Sequence, residues 1–138
     1  MNAILDLFCG TGGFSHGIEK AAKGNLKTRL GVDILPDALE TFKANHSDAE
    51  VIRGDIRKVS CKYVEELTGL RRGDVAVIAG GPPCQGFSSI RPFRSSLRDD
   101  PRNSLFEQFA NFVNYFQPPI LVMENVVGLA TYQDGNIL

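Results

Sequence analysis

Asp6-Leu7-Phe8-Cys9-Gly10-Thr11-Gly12-Gly13 is where the chain passes from one periodicity to another. Upstream, Ala3 to Phe8 is a short, almost continuous apolar run, the pattern of a strand buried on both faces. Downstream, Gly13 to Lys23 reads as a helix. A strand that enters a helix through glycines leaves free backbone N–H groups at the helix start, and these attract polar or anionic groups while the missing side chains let a ligand come close. Asp33 ends the second apolar run, 20 residues after Gly13, the place where a carboxylate can accept both hydroxyls of a ribose. Asp55, in Gly54-Asp55-Ile56, follows the third run and could accept a hydrogen bond from an adenine amino group. Taken singly, either carboxylate reads equally well as a helix cap or loop residue. Together they place three adjacent strand ends around one nucleoside-shaped site. A dinucleotide fingerprint would put a third glycine where Ser15 stands, which weighs against a nicotinamide cofactor.

The same alternation continues outward. Thr28 to Val32, Ala49 to Arg53, Val75 to Ala79 and Ile120 to Met123 are the further strand candidates. Pro36 and Asp37 open a helix that runs to Ala44, because proline suits the first turn and a carboxylate favours the positive end of the dipole. Leu105, Phe109, Phe112 and Phe116 fall on one apolar stripe of a helix from Ser104 to Phe116. Strands alternating with helices predict an α/β fold, a doubly wound and mostly parallel sheet of about five strands. At 138 residues the chain is near the modal size of one domain, so a single domain over 1–138 is expected. Ile120 to Met123 is too apolar to be comfortable as an open edge.

With 43% apolar and 22% charged residues, the composition is that of an ordinary soluble protein. No leader-like segment and no run of about 18 apolar residues is present, so no membrane is implied and a cytoplasmic location is expected. Cys9, Cys61 and Cys84 are far apart and in no CxxC pattern, which suggests neither a disulfide framework nor a metal site. A formal net charge of -1 argues against a whole-surface nucleic-acid binder, since such affinity comes from Lys and Arg neutralising phosphates. The local exception is Ser88 to Asn103, where Arg91, Arg94, Arg98 and Arg102 stand against Asp99 and Asp100.

The stretch before it, Gly80-Gly81-Pro82-Pro83-Cys84-Gln85-Gly86-Phe87-Ser88, carries the chemistry. Two prolines fix torsions ahead of Cys84, and glycines on both sides leave room for a flat ligand to approach its sulfur. A cysteine in an arbitrary loop is usually a small packing residue, the reading adopted for Cys9 and Cys61. Pro-Pro-Cys-Gln-Gly-Phe-Ser, however, resembles the signature loop of the DNA (cytosine-5)-methyltransferase family. Asp6 to Phe14 resembles that family's first motif, Asp33 its ribose-binding acidic position, and Gly54-Asp55-Ile56 its adenine-binding motif. Asp100 to Phe106 is similar to a segment that contacts the cofactor through Leu105, and Met123-Glu124-Asn125-Val126 to the Glu-Asn-Val motif.

The resemblance implies a Rossmann-like fold of the class I S-adenosylmethionine-dependent methyltransferase type. It implies S-adenosylmethionine as cofactor, held by Phe8, Gly10, Thr11, Gly12, Asp33, Ile34, Asp55, Ile56, Pro83 and Leu105. Cys84 would be the nucleophile that adds to C6 of cytosine, and Glu124 the group that meets N3. The base must leave the duplex to be reached, with Gln85, Ser88, Arg91 and Arg94 as DNA contacts on a closing loop. Family members continue beyond the Glu-Asn-Val motif. The expectation is therefore a fragment or one part of an enzyme, inactive alone, whose target recognition comes from a C-terminal segment or a second polypeptide. Two other readings stay open: methylation of RNA, against which Gly86 stands where the tRNA-directed branch would have proline, and a non-catalytic cofactor-binding or regulatory subunit. The DNA target, and membership of a restriction-modification system, are not written in these residues.

Overall fold

The computed structural model describes residues 2–83 and 103–124. Strands β1 (Ala3–Leu7), β2 (Lys27–Asp33), β3 (Glu50–Arg53), β4 (Val75–Gly80) and β5 (Ile120–Met123) form one sheet in the order β3-β2-β1-β4-β5. Every neighbouring pair is parallel. Helices α1 (Gly13–Ala21), α2 (Pro36–Asn45), α3 (Cys61–Thr68) and α4 (Asn103–Phe116) lie in the connections, with a 3-10 turn over Ile56–Lys58. The doubly wound α/β sheet expected from the sequence is the one observed.

Burial explains which strands are central. All residues of β1 and β4 are buried, as continuous apolar runs covered on both faces must be. One face packs Leu5, Leu7, Leu30, Val32, Val75 and Ile78 against Val64 of α3 and Phe109, Phe112 and Phe116 of α4. The aromatic stripe of α4 thus becomes the largest block of that core, with Leu105 packed at its margin. On the other face, Phe14 and Ile18 of α1 cover Ile4, Val77 and Ala79, while Leu39 and Phe42 of α2 pack with Cys9 and Ala49. Ala3 pairs with Val75 but Ile4 with Val77, so Ala76 is an extra residue in β4. That bulge lets Val75 and Ile78 face the same core. At the β5 edge, Ile120 and Leu121 are each 49% exposed.

Element ends depart from the sequence expectations for local reasons. β1 stops at Leu7 because Phe8 takes a left-handed φ of 65°, which breaks the pleat. The first helix ends at Ala21 rather than Lys23, whose φ is 52°. α3 was not anticipated as a separate element, yet Ser60 caps it by accepting a hydrogen bond from the Tyr63 N–H at 3.1 Å, and Gly69 closes it at φ 70°.

β1 is the reversal point of the winding. The chain runs from β1 to β2 and β3 on one side, then returns to β4 and β5 on the other. The crevice beyond the carboxyl ends of β1 and β4 is where such sheets bind ligands. Close approach of these strands is built in at Gly80, where a Cβ would sit 1.9 Å from the Leu7 carbonyl oxygen.

Candidate active site

The glycine turn after β1 is tied to its neighbours by hydrogen bonds. Cys9 N–H donates to Val32 O at 3.0 Å and Gly12 N–H to Cys9 O at 2.8 Å. Gly10 N–H donates to Asp33 Oδ2 at 2.7 Å, and Leu35 N–H to Asp33 Oδ1 at 2.9 Å. Asp33 therefore holds together the turns that follow β1 and β2, while its own carbonyl accepts from Gly54 N–H at 2.9 Å beyond β3. Gly12, at φ 93°, caps α1 without a side chain. Among the described residues, this leaves the N–H groups of Thr11, Gly13 and Phe14 without a partner at the positive end of α1.

Ser15 departs from the dinucleotide pattern for a visible reason. Its Oγ donates to Asp6 Oδ2 at 2.6 Å and its N–H to the same oxygen at 3.3 Å. Asp6 is fully buried, and its Oδ1 has no partner among the described residues. Burial pushes the Asp6 carboxyl up to about 6, against the lowering effect of the Ser15 hydrogen bonds.

Beside the turn, a pocket of about 150 Å³ is lined by Phe8, Val32, Asp33, Ile34, Gly54, Asp55, Ile56, Arg57, Pro83 and Leu105. Seven of the ten cofactor residues expected from the sequence line it: Phe8, Asp33, Ile34, Asp55, Ile56, Pro83 and Leu105. Gly10, Thr11 and Gly12 are not part of the lining and belong to the adjoining turn. Apolar side chains form most of the wall, and Asp33, Asp55 and Arg57 supply the polar side chains, a composition suited to a purine nucleoside.

Arg57 is a lining residue that the sequence reading missed. Its Nε donates to Asp55 Oδ1 at 2.9 Å and Oδ2 at 3.0 Å, and its own N–H to Oδ1 at 3.0 Å. These bonds hold the Asp55 carboxyl down at about 2, so it is an ionised acceptor at any physiological pH. The signal available in the sequence was the Asp-x-Arg spacing, which lets a cap residue pair with a side chain two positions on.

Glu124 follows β5, and its N–H donates to Gly80 O at 3.1 Å. Its carboxylate lies over Gly81, so that a Cβ there would come within 3.0 Å of Oε2. The acidic side chain is thereby placed on the carboxyl rim of the sheet, over a glycine that precedes Cys84 by three positions in the sequence. Cys84 itself, with Gln85, Ser88, Arg91 and Arg94, lies outside the described residues. The other two thiols behave as packing groups: Cys9 is buried and Cys61 half-buried, and burial pushes both thiols up.

Residues 2–138 match the family model described as C-5 cytosine-specific DNA methylase. The chain belongs to that family. Among the relatives of this methylase chain, the type II methyltransferase M1.HphI of Haemophilus parahaemolyticus is 40% identical over 131 residues, covering 95% of this chain and 34% of the relative. DNA (cytosine-5)-methyltransferase 1 of Mus musculus is 32% identical, covering 97% of this chain and 9% of that protein. A solved structure described as a candidate DNA modification methyltransferase, encoded within an Escherichia coli prophage, superposes with a TM-score of 0.76 at 29% identity. That likeness covers 99% of this chain and 35% of the other. The chain spans about a third of the length of M1.HphI.

Membership in a methylase family agrees with S-adenosylmethionine as the methyl donor, and the residues present fit it. Asp33 and Asp55 offer acceptors at adjacent strand ends, apolar side chains flank the space between them, and three N–H groups at the start of α1 have no partner among the described residues. Among the described residues of this family member, no cluster suited to a metal ion occurs and no helix is long and apolar enough to cross a membrane.

Proposed function

We propose that this chain carries the cofactor-binding and nucleophile-bearing portion of an enzyme that methylates C5 of cytosine in DNA. The observation that supports this most is the convergence of Phe8, Asp33, Asp55 and Leu105 on one pocket, with Glu124 on the same carboxyl rim of the sheet.

In this reading Asp33 meets the ribose, exchanging part of its bond to Gly10. Asp55, held ionised by Arg57, accepts from the adenine amino group. Phe8, Ile34, Ile56, Pro83 and Leu105 flank the ring and exclude water, while the turn of Gly10, Thr11 and Gly12 faces the amino-acid end of the molecule. Bound there, S-adenosylmethionine supplies an electrophilic methyl group on a sulfonium. C5 of cytosine is too weak a nucleophile to take it unaided. The Cys84 thiolate adds to C6, the electron pair moves toward C5, and Glu124 hydrogen-bonds N3 as charge develops there. C5 would then take the methyl group as the methyl–sulfur bond breaks, its electron pair staying on sulfur and S-adenosylhomocysteine leaving. Transfer of the C5 proton to water, with the C–H pair forming the C5–C6 double bond as the thiolate leaves C6, restores the ring and frees Cys84.

The target base must be turned out of the duplex for this sequence of steps. Gln85, Ser88, Arg91 and Arg94 are proposed to contact the DNA around it.

A duplex containing 5-fluorocytosine tests the reading, because fluorine at C5 cannot leave as a proton and the adduct persists. With S-adenosylmethionine present and the chain supplied with the C-terminal part that its relatives carry, a covalent complex is expected, mapping to the Cys84 peptide by mass spectrometry and absent in Cys84→Ser. Calorimetric titration of S-adenosylmethionine into the same protein is expected to show one site, lost in Asp33→Ala. An adduct on Cys9 or Cys61, or cofactor binding indifferent to Asp33, would refute the assignment.

A further inference from the structure

His46 follows α2 and is given no part in the reading above, although its side chain is only 2% exposed. Nδ1 lies 3.4 Å from Glu19 Oε2, and the ring tilts against Phe42 with centroids 4.8 Å apart. Glu19, on α1, also accepts the Thr28 N–H at 2.7 Å through Oε1. The imidazole is thus fixed from α1 on one side and α2 on the other. Its second nitrogen, Nε2, is buried and has no hydrogen-bond partner among the described residues. A Cβ built on Gly12 would sit 2.9 Å from that nitrogen and 3.1 Å from Cδ2. The imidazole, with Phe42 Cδ2 at 3.0 Å from the same built Cβ, is therefore the surface on which the glycine turn rests.

That contact falls at a critical point of the chain. Gly12 is the cap of α1 and takes a φ of 93°. The N–H groups left free for a ligand belong to Thr11 before it and Gly13 and Phe14 after it. A buried polar nitrogen without a partner is unfavourable, so a phenyl or aliphatic group would fill the same space more favourably if packing were all that mattered. Glu19 gives imidazole a reason to be there, because a ring nitrogen in that place faces the Glu19 carboxylate at 3.4 Å, a polar contact with α1 that a phenyl or aliphatic group would lack.

We propose that His46 is a positioning residue for the glycine turn, anchoring Gly12 so that the Thr11, Gly13 and Phe14 N–H groups stand where the cofactor needs them. The link to cofactor rests on the proposed function, but the link to the turn does not, and the two can be read separately. In the ligand-free chain, amide hydrogen exchange at Gly10 and Gly12, whose N–H groups are bonded to Asp33 and Cys9, is expected to rise about tenfold or more in His46→Ala. His46→Gln, whose amide can still donate to Glu19, is expected to restore most of the protection. Val64→Ala, in the core on the opposite face of the sheet, controls for lost stability and should leave exchange at these two glycines within about twofold once corrected for global unfolding.

Affinity for S-adenosylmethionine, by calorimetry, should follow the same order, with His46→Ala weakened about tenfold relative to Val64→Ala, a coupling of ordinary size for groups in contact. Equal exchange at Gly10 and Gly12 in His46→Ala and Val64→Ala would overturn the proposal whether or not cofactor binds. Raised exchange with unchanged affinity would overturn its functional half. Absence of binding by the unsubstituted chain would instead count against the proposed function, leaving the exchange result to decide the role of His46 in the turn.

Discussion

Replacing Asp6 by Asn should stabilise the protein, and by an amount that depends on pH in a defined way. Asp6 is fully buried, and desolvation raises its carboxyl from 3.8 to about 6. Because the folded value lies above the unfolded one, the fold favours the protonated acid. The stabilising effect is whole below pH 3.8 and disappears as pH rises toward 6; beyond that the buried charge costs about 3 kcal/mol, at roughly 1.4 kcal/mol per pH unit of displacement. Asparagine can accept both Ser15 donors on its carbonyl oxygen, and its amide nitrogen would occupy the place of Oδ1, which already lacks a partner. Contributions that do not vary with pH should therefore nearly cancel. Urea denaturation of both proteins between pH 4.5 and 7.5 should show the advantage of Asp6→Asn growing by about 2 kcal/mol, since about 1 kcal/mol is already in place at pH 4.5. Titrating groups that do not interact with Asp6 are common to the two proteins and drop out of the difference. An advantage that stays flat across this range, or shrinks, would show that the Asp6 carboxylate is not penalised by burial.

Gly31 faces Phe42 so closely that an alanine Cβ would lie 2.4 Å from the ring; Gly31→Ala should cost at least about 1–3 kcal/mol in thermal unfolding, and a neutral result would mean that α2 does not sit directly on β2. Burial pushes the Cys9 thiol far up, so iodoacetamide at pH 8 should leave it unmodified in the folded chain and label it promptly in urea, as read by mass spectrometry. Arg57→Ala should raise the Asp55 carboxyl from about 2 toward the ordinary carboxylate range in an NMR titration. The stability tied to that depressed value is present above pH 3.8 and lost as pH falls through about 2, so the variant should also lack this part of the acid sensitivity.

What could be read from the sequence was whatever depends on order along the chain. The runs from Ala3, Thr28, Val75 and Ile120 are apolar because both faces of a parallel sheet are covered, and Asp33 and Asp55 stood out because they punctuate strand ends. Those two carboxylates followed from placement, whereas Phe8, Ile34, Ile56, Pro83 and Leu105 came from the resemblance to the family's motifs. α3 was harder to see because two turns carry few inward positions, chiefly Val64 and Leu67, although Ser60 and Gly69 marked its limits. The Asp6–Ser15 bond and the seat of His46 on Gly12 depend on register and on how α1 and α2 lie over the sheet, and neither is encoded in a short window, whereas Arg57 was marked only by its Asp-x-Arg spacing. The bulge at Ala76 is of the same kind. Cys84, the residue on which the sequence reading placed most weight, lies outside the described residues, so its role rests on the family's chemistry and on the trapping experiment.

Asp33 spends its two oxygens on Gly10 and Leu35 before any ligand arrives. On the role proposed for Asp33, a receptor whose gripping carboxylate is also its own internal tether is already assembled when empty, so an arriving nucleoside would exchange one bond for another instead of ordering slack chain. Association should then be rapid and its entropic penalty small, and strength of grip should be set by how readily the Gly10 amide releases its hold.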